Sequence, residues 1–436
     1  QEWKVNFYRS LPRGTRAQIL WGGFDRSNSC WICQFGTLKG IQGIEQKGSF
    51  EFLPTLVGSQ ASELDESGTL KNGNSSGEPS LGIKYNFSSS RVAEITINPD
   101  FSQVEADEEQ VDVNTTFALH YPEKRPFFNE GADLINTPIN VVYTRSINNP
   151  TGAGRIINRG KKDNWVLLSA FDEDSPYIIP GEEQSFTRLG GKSSSNIFRY
   201  KRALNDGSFL GLIATDRRMV NNNGSGSVVG FDTHYRFNDK YQVEFQSVFS
   251  HTQEPNDSIL VSSATFGDNH TFTFDGESFS GNAVKIEIDR NTEHWQLEAG
   301  YDHKTPTFRA ENGFESSNNS RRIFGQSVWI YHPDNFFTQV IGGFHTGVEH
   351  NFGGEQKAKY IVGFGNLSMP RQTRLQFQYA RRLQYRFKDT ELNGTYDLKL
   401  NLNSQFSERY QFGTNIGRHV AAVRFLEVPE EGRLAT

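Results

Sequence analysis

Leu375-Gln376-Phe377-Gln378-Tyr379-Ala380-Arg381-Arg382-Leu383-Gln384-Tyr385-Arg386-Phe387 is the stretch that decides the fold. Leu375, Phe377, Tyr379, Leu383, Tyr385 and Phe387 alternate with Gln376, Gln378, Arg382, Gln384 and Arg386. A period of two belongs to a β-strand, whose successive side chains point to opposite faces. One face therefore meets an apolar medium and the other meets water. The run is about twice the usual length of a soluble strand, roughly five or six residues. It suits a tilted strand crossing a bilayer, which needs roughly nine to eleven. The polar face, rich in Gln and Arg, suits a wet interior better than a packed sandwich, so Gln376, Gln378, Arg382, Gln384 and Arg386 are expected to face a lumen.

The same period recurs along the chain. Tyr241, Val243 and Phe245 alternate with Gln242, Glu244 and Gln246; Phe231, Thr233, Tyr235 and Phe237 alternate with Asp232, His234 and Arg236. Further cases are Tyr396, Leu398, Leu400 and Leu402; Val284, Ile286 and Ile288; Ile83, Tyr85 and Phe87; and Trp3, Val5 and Phe7. Turn signals separate the runs: Asn238-Asp239, the Asn/Gly/Ser stretch 221–226, Pro333-Asp334-Asn335, Gly353-Gly354-Glu355 and Asn393-Gly394. Some gaps are tight and others long and polar, the asymmetry of barrels with short turns on one side and long loops on the other. No segment of helical period and no short internal repeat interrupts this.

Composition agrees and excludes other classes. The 436 residues carry 45 basic and 51 acidic side chains, a net charge of -6 that argues against a nucleic-acid partner. Mean hydropathy is -0.61, and no window approaches 18 consecutive apolar residues, so helical membrane spans are excluded. A strand-built barrel is not, because apolar-out, polar-in alternation averages to the hydropathy of a soluble protein. Against 2 Met stand 35 Phe, 15 Tyr and 6 Trp, as expected where aromatic girdles mark two membrane interfaces, or in an aromatic-cored soluble β protein. The chain starts at Gln1 without a visible signal peptide, which suits a mature or trimmed protein and says nothing about compartment.

Residues 98–135 break the pattern. They run Asn-Pro-Asp-Phe-Ser-Gln-Val-Glu-Ala-Asp, continue acidic to Asp112, and end near Tyr121-Pro-Glu-Lys-Arg-Pro-Phe-Phe-Asn-Glu-Gly-Ala-Asp133. So irregular and charged a segment must be covered by protein or water at membrane depth, which places it inside a lumen or at its mouth. These two blocks resemble the signature of a large family of bacterial outer-membrane proteins, catalogued as domain of unknown function 5916. Trp3 to Pro12 resembles that family's first strand, and Phe35 to Ile41 its early Gly-x-Leu-x-Gly segment. Val142-Tyr-Thr-Arg-Ser-Ile147 resembles the strand after the signature; Leu210 to Arg217 and Thr307 to Phe314 resemble later strands. The resemblance implies a Gram-negative outer-membrane location. Members commonly lie downstream of a carbohydrate-binding domain resembling family 9; residues 1–436 hold no such domain themselves, so the link to sugars is indirect. The polar ending Glu430-Glu-Gly-Arg-Leu-Ala-Thr436 departs from the aromatic last strand usual in such barrels, so a trimmed chain or an unusual closure is expected.

These readings define one domain, 1–436: an all-β transmembrane antiparallel barrel of roughly sixteen strands, with 98–135 as an internal plug-like segment. Asp100, Glu105, Asp107, Glu123, Lys124, Arg125, Phe127, Phe128, Glu130 and Asp133 are the lumenal signature residues. Glu123, Lys124 and Arg125 are expected to pair with charges of the barrel wall. The acidic patch Asp100, Glu105, Asp107, Glu108, Glu109 and Asp112 has the oxygens for Ca²⁺ but no EF-hand spacing, so a solvated or salt-bridged segment is the better reading. No nucleophile elbow, zinc motif, phosphate loop or marked carboxylate pair is present, so neither catalysis nor a cofactor or metal is expected. Cys30 and Cys33 lack a following His and a second pair; in an extended strand they would face apart, so a disulfide requires a turn there. The expected function is a porin-like or transport-associated channel for saccharides or other polar solutes, in contact with outer-membrane lipid. The alternatives are a docking barrel for surface or periplasmic proteins and a secreted soluble glycan-active β protein.

Overall fold

The computed structural model describes residues 3–11, 17–40, 48–64, 68, 70–99, 118–205, 207–221, 223–333, 336–387, 390–405, 407, 409–422 and 434–435. Asp100, Glu105 and Asp107, with the rest of the acidic patch, fall outside them. Among the described residues, seventeen strands of seven residues or more follow in chain order from Ser49–Leu64 to Gln411–Ala422. Each pairs antiparallel with its neighbours in sequence, so the pairings build one continuous sheet. No described helix is long and apolar enough to cross a membrane, which says nothing about strands.

Every second connection lies on the same edge of the sheet. One edge carries the short turns 89–90, 160–162, 238–240, 292–294 and 370–372, together with 204–208, 332–338 and 406–410. The other carries the long connections 98–149, 173–192, 254–277 and 305–319. Asn238 and Asp239 both adopt left-handed backbone (φ 54° and 50°), as a two-residue turn between twisted strands requires. Asn and Asp tolerate that conformation, which is why the dipeptide was legible as a turn.

The alternation separates two unlike faces. Leu168, Ile197 and Val228 are 3%, 1% and 3% exposed, while their sequence neighbours Leu167, Phe198 and Val229 are 42%, 42% and 59% exposed. The covered face packs against the connection 118–149: Phe127, Phe128, Leu134, Ile135, Ile139, Val141, Val142 and Ile147 form one core with Ile157, Val166, Leu168, Ile197, Ile213, Val228 and Val248 of the strands. The uncovered face leaves large apolar side chains in the open.

Four expectations change here. The irregular segment runs on to Asn149 rather than stopping at 135, because residues 136–149 find partners outside any ladder: Tyr143 N–H donates to the Asn312 carbonyl and Ile139 N–H to the Gln246 side chain. Val142 to Ile147 is therefore no strand, and its Thr144–Ser146 is a 3₁₀ turn. Thr307 to Phe314 is a loop folded onto the covered face, with Phe308 fully buried. Trp3–Val5 and Tyr8–Leu11 pair with Gly36–Leu38 and Ala17–Leu20 in two small sheets apart from the large one. Cys30 and Cys33 form a disulfide across the 3₁₀ turn Ile32–Gln34, the turn their spacing demanded. This N-terminal segment rests on the short-turn edge, where Ser29 N–H donates to the Asp239 carbonyl at 2.6 Å.

The alternation in 375–387 also stops early. Arg382 pairs with Tyr360 but Gln384 pairs with Lys359, so Leu383 is an extra residue in the ladder. Such a bulge shifts every later side chain to the other face. Tyr385 and Phe387 consequently turn inward and pack with Leu392.

Candidate functional site: an inward-folded segment and the cavity beside it

Pro126 opens the short helix Pro126–Asn129, where its fixed φ suits the first helical position and its missing N–H costs nothing. Gly131 follows with φ 87°, and a Cβ there would lie 2.8 Å from Ile157 Cδ1 on the sheet. Glycine thus serves both the left-handed turn and the close approach before the second helix, Ala132–Ile135. The two helices present Phe127, Phe128, Leu134 and Ile135 to the sheet.

Polar groups complete the attachment. Arg125 donates from Nε to Glu123 Oε1 (2.9 Å) and from Nη2 to Oε2 (2.7 Å), and to the carbonyls of Ile147 (2.7 Å) and Thr144 (2.8 Å). Its guanidinium lies 4.3 Å from the Phe128 ring centre. Burial pushes the Glu123 carboxyl up, but the hydrogen bonds and charge of Arg125 prevail and hold it below the usual carboxylate range. Among the described contacts, Glu123 and Arg125 form a staple within the segment, between 123–125 and 144–147.

The wall supplies different residues. Arg155 donates to the Phe127 carbonyl, to the Glu130 carbonyl (2.9 Å) and carboxylate (2.8 Å), and to Glu94. Arg199 binds Asp232 through both guanidinium ends and donates from Nε to the Leu134 carbonyl at 3.0 Å. Arg217 donates to the Glu311 carbonyl at 2.7 Å and to Ser146 at 3.4 Å. Asp133 pairs with Arg159 at 2.6 Å, and Glu130 with Lys84 at 3.1 Å. Arg155, Arg199 and Arg217 are all buried. Arginine suits this task because its rigid fork satisfies several carbonyls and carboxylates at once.

The signature residues Glu123, Arg125, Phe127, Phe128, Glu130 and Asp133 are thus brought together with the sheet, and Lys124 lies among them. Gln376 and Gln378 pair with Asn366 and Phe364 on the covered face. Gln384 and Arg386, expected on that face, lie beyond the bulge and are turned to the other one; Gln384 accepts a bond from Gln356, and Arg386 pairs with Glu355 at 2.9 Å. Sequence reasoning missed Arg155, Arg199 and Arg217, which read as ordinary polar positions of alternating strands. It also missed two carboxylate groups, Glu254/Asp275/Glu277 and Glu287/Asp289/Glu298, whose oxygens lie within 4.8 Å of one another. The second is assembled by register, Asp289 facing Glu298 across two strands.

Away from the inward segment the same face stays open. A cavity of about 640 Å³ is lined by His345, Tyr360, Arg382, Asp397, Lys399 and His419, among others. Register places Tyr360 opposite Arg382 and Asp397 opposite His419.

Two comparisons bear on the chain. The profile of a domain of unknown function (DUF5916) matches residues 53–165, a span that holds the first strands and the inward segment between them. No curated protein matches the chain.

Proposed function

We propose that the sheet closes into a transmembrane barrel of a Gram-negative outer membrane, and that its covered face is the wall of a polar channel narrowed by residues 118–149. Closure is supported by the strand order, which passes from the last long strand through the short Leu434–Ala435 back to Ser49–Leu64. The observation that carries the membrane reading is the uncovered face. Phe50, Phe52, Leu212, Val229, Phe249, Ile361 and Ile416 stand exposed on it, far more apolar surface than a monomer leaves in water. Near the short-turn edge Tyr235, Phe237, Trp295, Trp329 and Tyr331 add an aromatic band, as at a membrane interface. The short-turn and long-loop edges fit the two sides of an outer membrane.

Within that frame the protein is a passive, non-enzymatic path for saccharides or other small polar solutes. The open cavity of about 640 Å³ and its mixed polar wall are what support it. Reconstitution into planar bilayers tests this: discrete conductance steps are expected, and flat currents from correctly folded protein would remove the channel reading. One observation favours a second reading, a docking barrel. The connections 173–192 and 254–277 bury Tyr177, Ile179, Leu260, Phe272 and Phe274 in a core of their own, a rigid platform at one mouth. Stoichiometric partners in detergent extracts would support it.

A further inference from the structure

Basic residues on the covered face are neutralised at most positions. Lys285 lies between Glu244 and Glu287, Lys304 pairs with Glu315, Arg322 pairs with Asp302 at 2.6 Å, and Lys357 meets Glu182 at 2.7 Å. The wall of the open cavity differs. Among the described residues no carboxylate pairs with Arg382, whose guanidinium lies only over the Tyr385 ring, 4.8 Å from its centre. Among the described residues Lys399 pairs with the Asp397 carboxylate, at 2.6 Å, and His345 and His419 complete the rim. Of these charges, Arg382 and Lys399 outnumber Asp397 by one. Tyr360, hydrogen-bonded to His345 at 3.2 Å, adds a hydroxyl next to Arg382.

We propose that this cavity is a binding subsite for hydroxylated organic anions, such as sugar acids, in which Arg382 takes a carboxylate and Lys399 supports it. The proposal rests on the channel reading for its biological use but not for its chemistry. Arginine is the side chain whose two parallel N–H groups match a carboxylate, and an exposed one kept free of acidic partners is available to do so. Asp397, Tyr360 and the two histidines offer donors and acceptors for hydroxyl groups. The volume falls in the range of small-molecule sites, roughly 300–1,000 Å³. The surplus of positive charge at the cavity contrasts with Asp289 and Glu298 on the strands 278–291 and 295–304, so an anion is drawn to one side of the interior.

The test is calorimetric titration of the detergent-solubilised full chain with digalacturonate, and with neutral digalactose as its uncharged counterpart. Digalacturonate should bind at least tenfold more tightly, and the double variant R382Q/K399Q should lose that preference. Arg382 and Lys399 are exposed, and thermal unfolding of both proteins establishes that the variant is folded. Should it fail to fold, the wild type still decides: digalacturonate binding should weaken as salt rises from 50 to 500 mM while digalactose is unaffected. Equal affinity for the two sugars, or an unchanged preference in the folded variant, overturns the site. Binding without conductance would leave the site standing and remove the channel; conductance with no preference for the anion would do the reverse.

Discussion

Arg199 and Asp232 form a buried ion pair on neighbouring-but-one strands, and Arg199 also holds the Leu134 carbonyl of the inward segment. Taking away one member strands the other charge, a loss of about 3–5 kcal/mol, whereas replacing both by apolar residues is far milder. Arg199→Ala should therefore lower the unfolding temperature by many degrees, and R199L/D232L should recover more than half of it; equal losses would show that the pair is not what holds the site. Arg125→Ala acts elsewhere. It opens the staple to Thr144 and Ile147, leaving Glu123 without its bidentate partner. Limited proteolysis should then cut 118–149 faster while the sheet unfolds at an unchanged temperature. The sequence flagged Glu123, Arg125, Phe127, Phe128, Glu130 and Asp133 as residues but not their partners. Arg155, Arg199 and Arg217 come from distant strands, and nothing local distinguishes them from polar residues facing water.

Single elements carry their own strain and switches. The turn 370–372 places Arg371 and Gln372 in left-handed backbone at φ 58° and 50°, a conformation that costs an ordinary residue roughly 1–2 kcal/mol. The variant R371N/Q372G should raise stability by about 1 kcal/mol in urea unfolding; no gain would mean the tight turn relaxes in solution. On the long-loop edge, burial pushes the Glu254 carboxyl up to about 7, outweighing the opposing charge and hydrogen bond of Arg309, with Glu277 and Asp275 adding to the rise. A carboxyl raised in the folded state contributes stability that is present below its ordinary value and lost as pH climbs through about 7. Hydrogen exchange in 254–277 should thus be slower at pH 5 than expected from its rate at pH 8 after correction for intrinsic exchange, and Glu254→Gln should abolish the difference. The bulge at Leu383 was invisible beforehand because the apolar-polar period continues through it; only the pairing of Lys359 with Gln384 moves Tyr385 and Phe387 inward.

For the whole molecule, the medium around the uncovered face is the deciding quantity. Leu212 stands 51% exposed in the middle of Phe209–Met219, with buried Ile213 behind it. In water Leu212→Lys would be close to neutral. In a bilayer it should cost about 2–4 kcal/mol, the penalty for Lys at the midplane of a membrane barrel. Folding yield into lipid vesicles against urea measures it, and an unchanged profile would remove the membrane reading. If the inward segment narrows a channel, deletion of 118–142 should raise single-channel conductance severalfold at the price of lower stability, since it uncovers Phe308, Ile197 and Ile213 to water.

The period-two pattern, the turn dipeptides and the irregular block around Glu123 to Asp133 are local properties, and by themselves they determined an all-β chain with long strands, two unlike faces and one segment that cannot join the ladder. Strand alternation survives in the sequence because each residue's face depends on its own backbone parity. What only the tertiary structure decided was which residues meet: the arginines that hold the inward segment, the loop 305–319 folded beside it, the register slip at Leu383 and the open wall at Arg382 and Lys399. Those depend on contacts between residues tens to hundreds of positions apart, and no window of the sequence contains both partners.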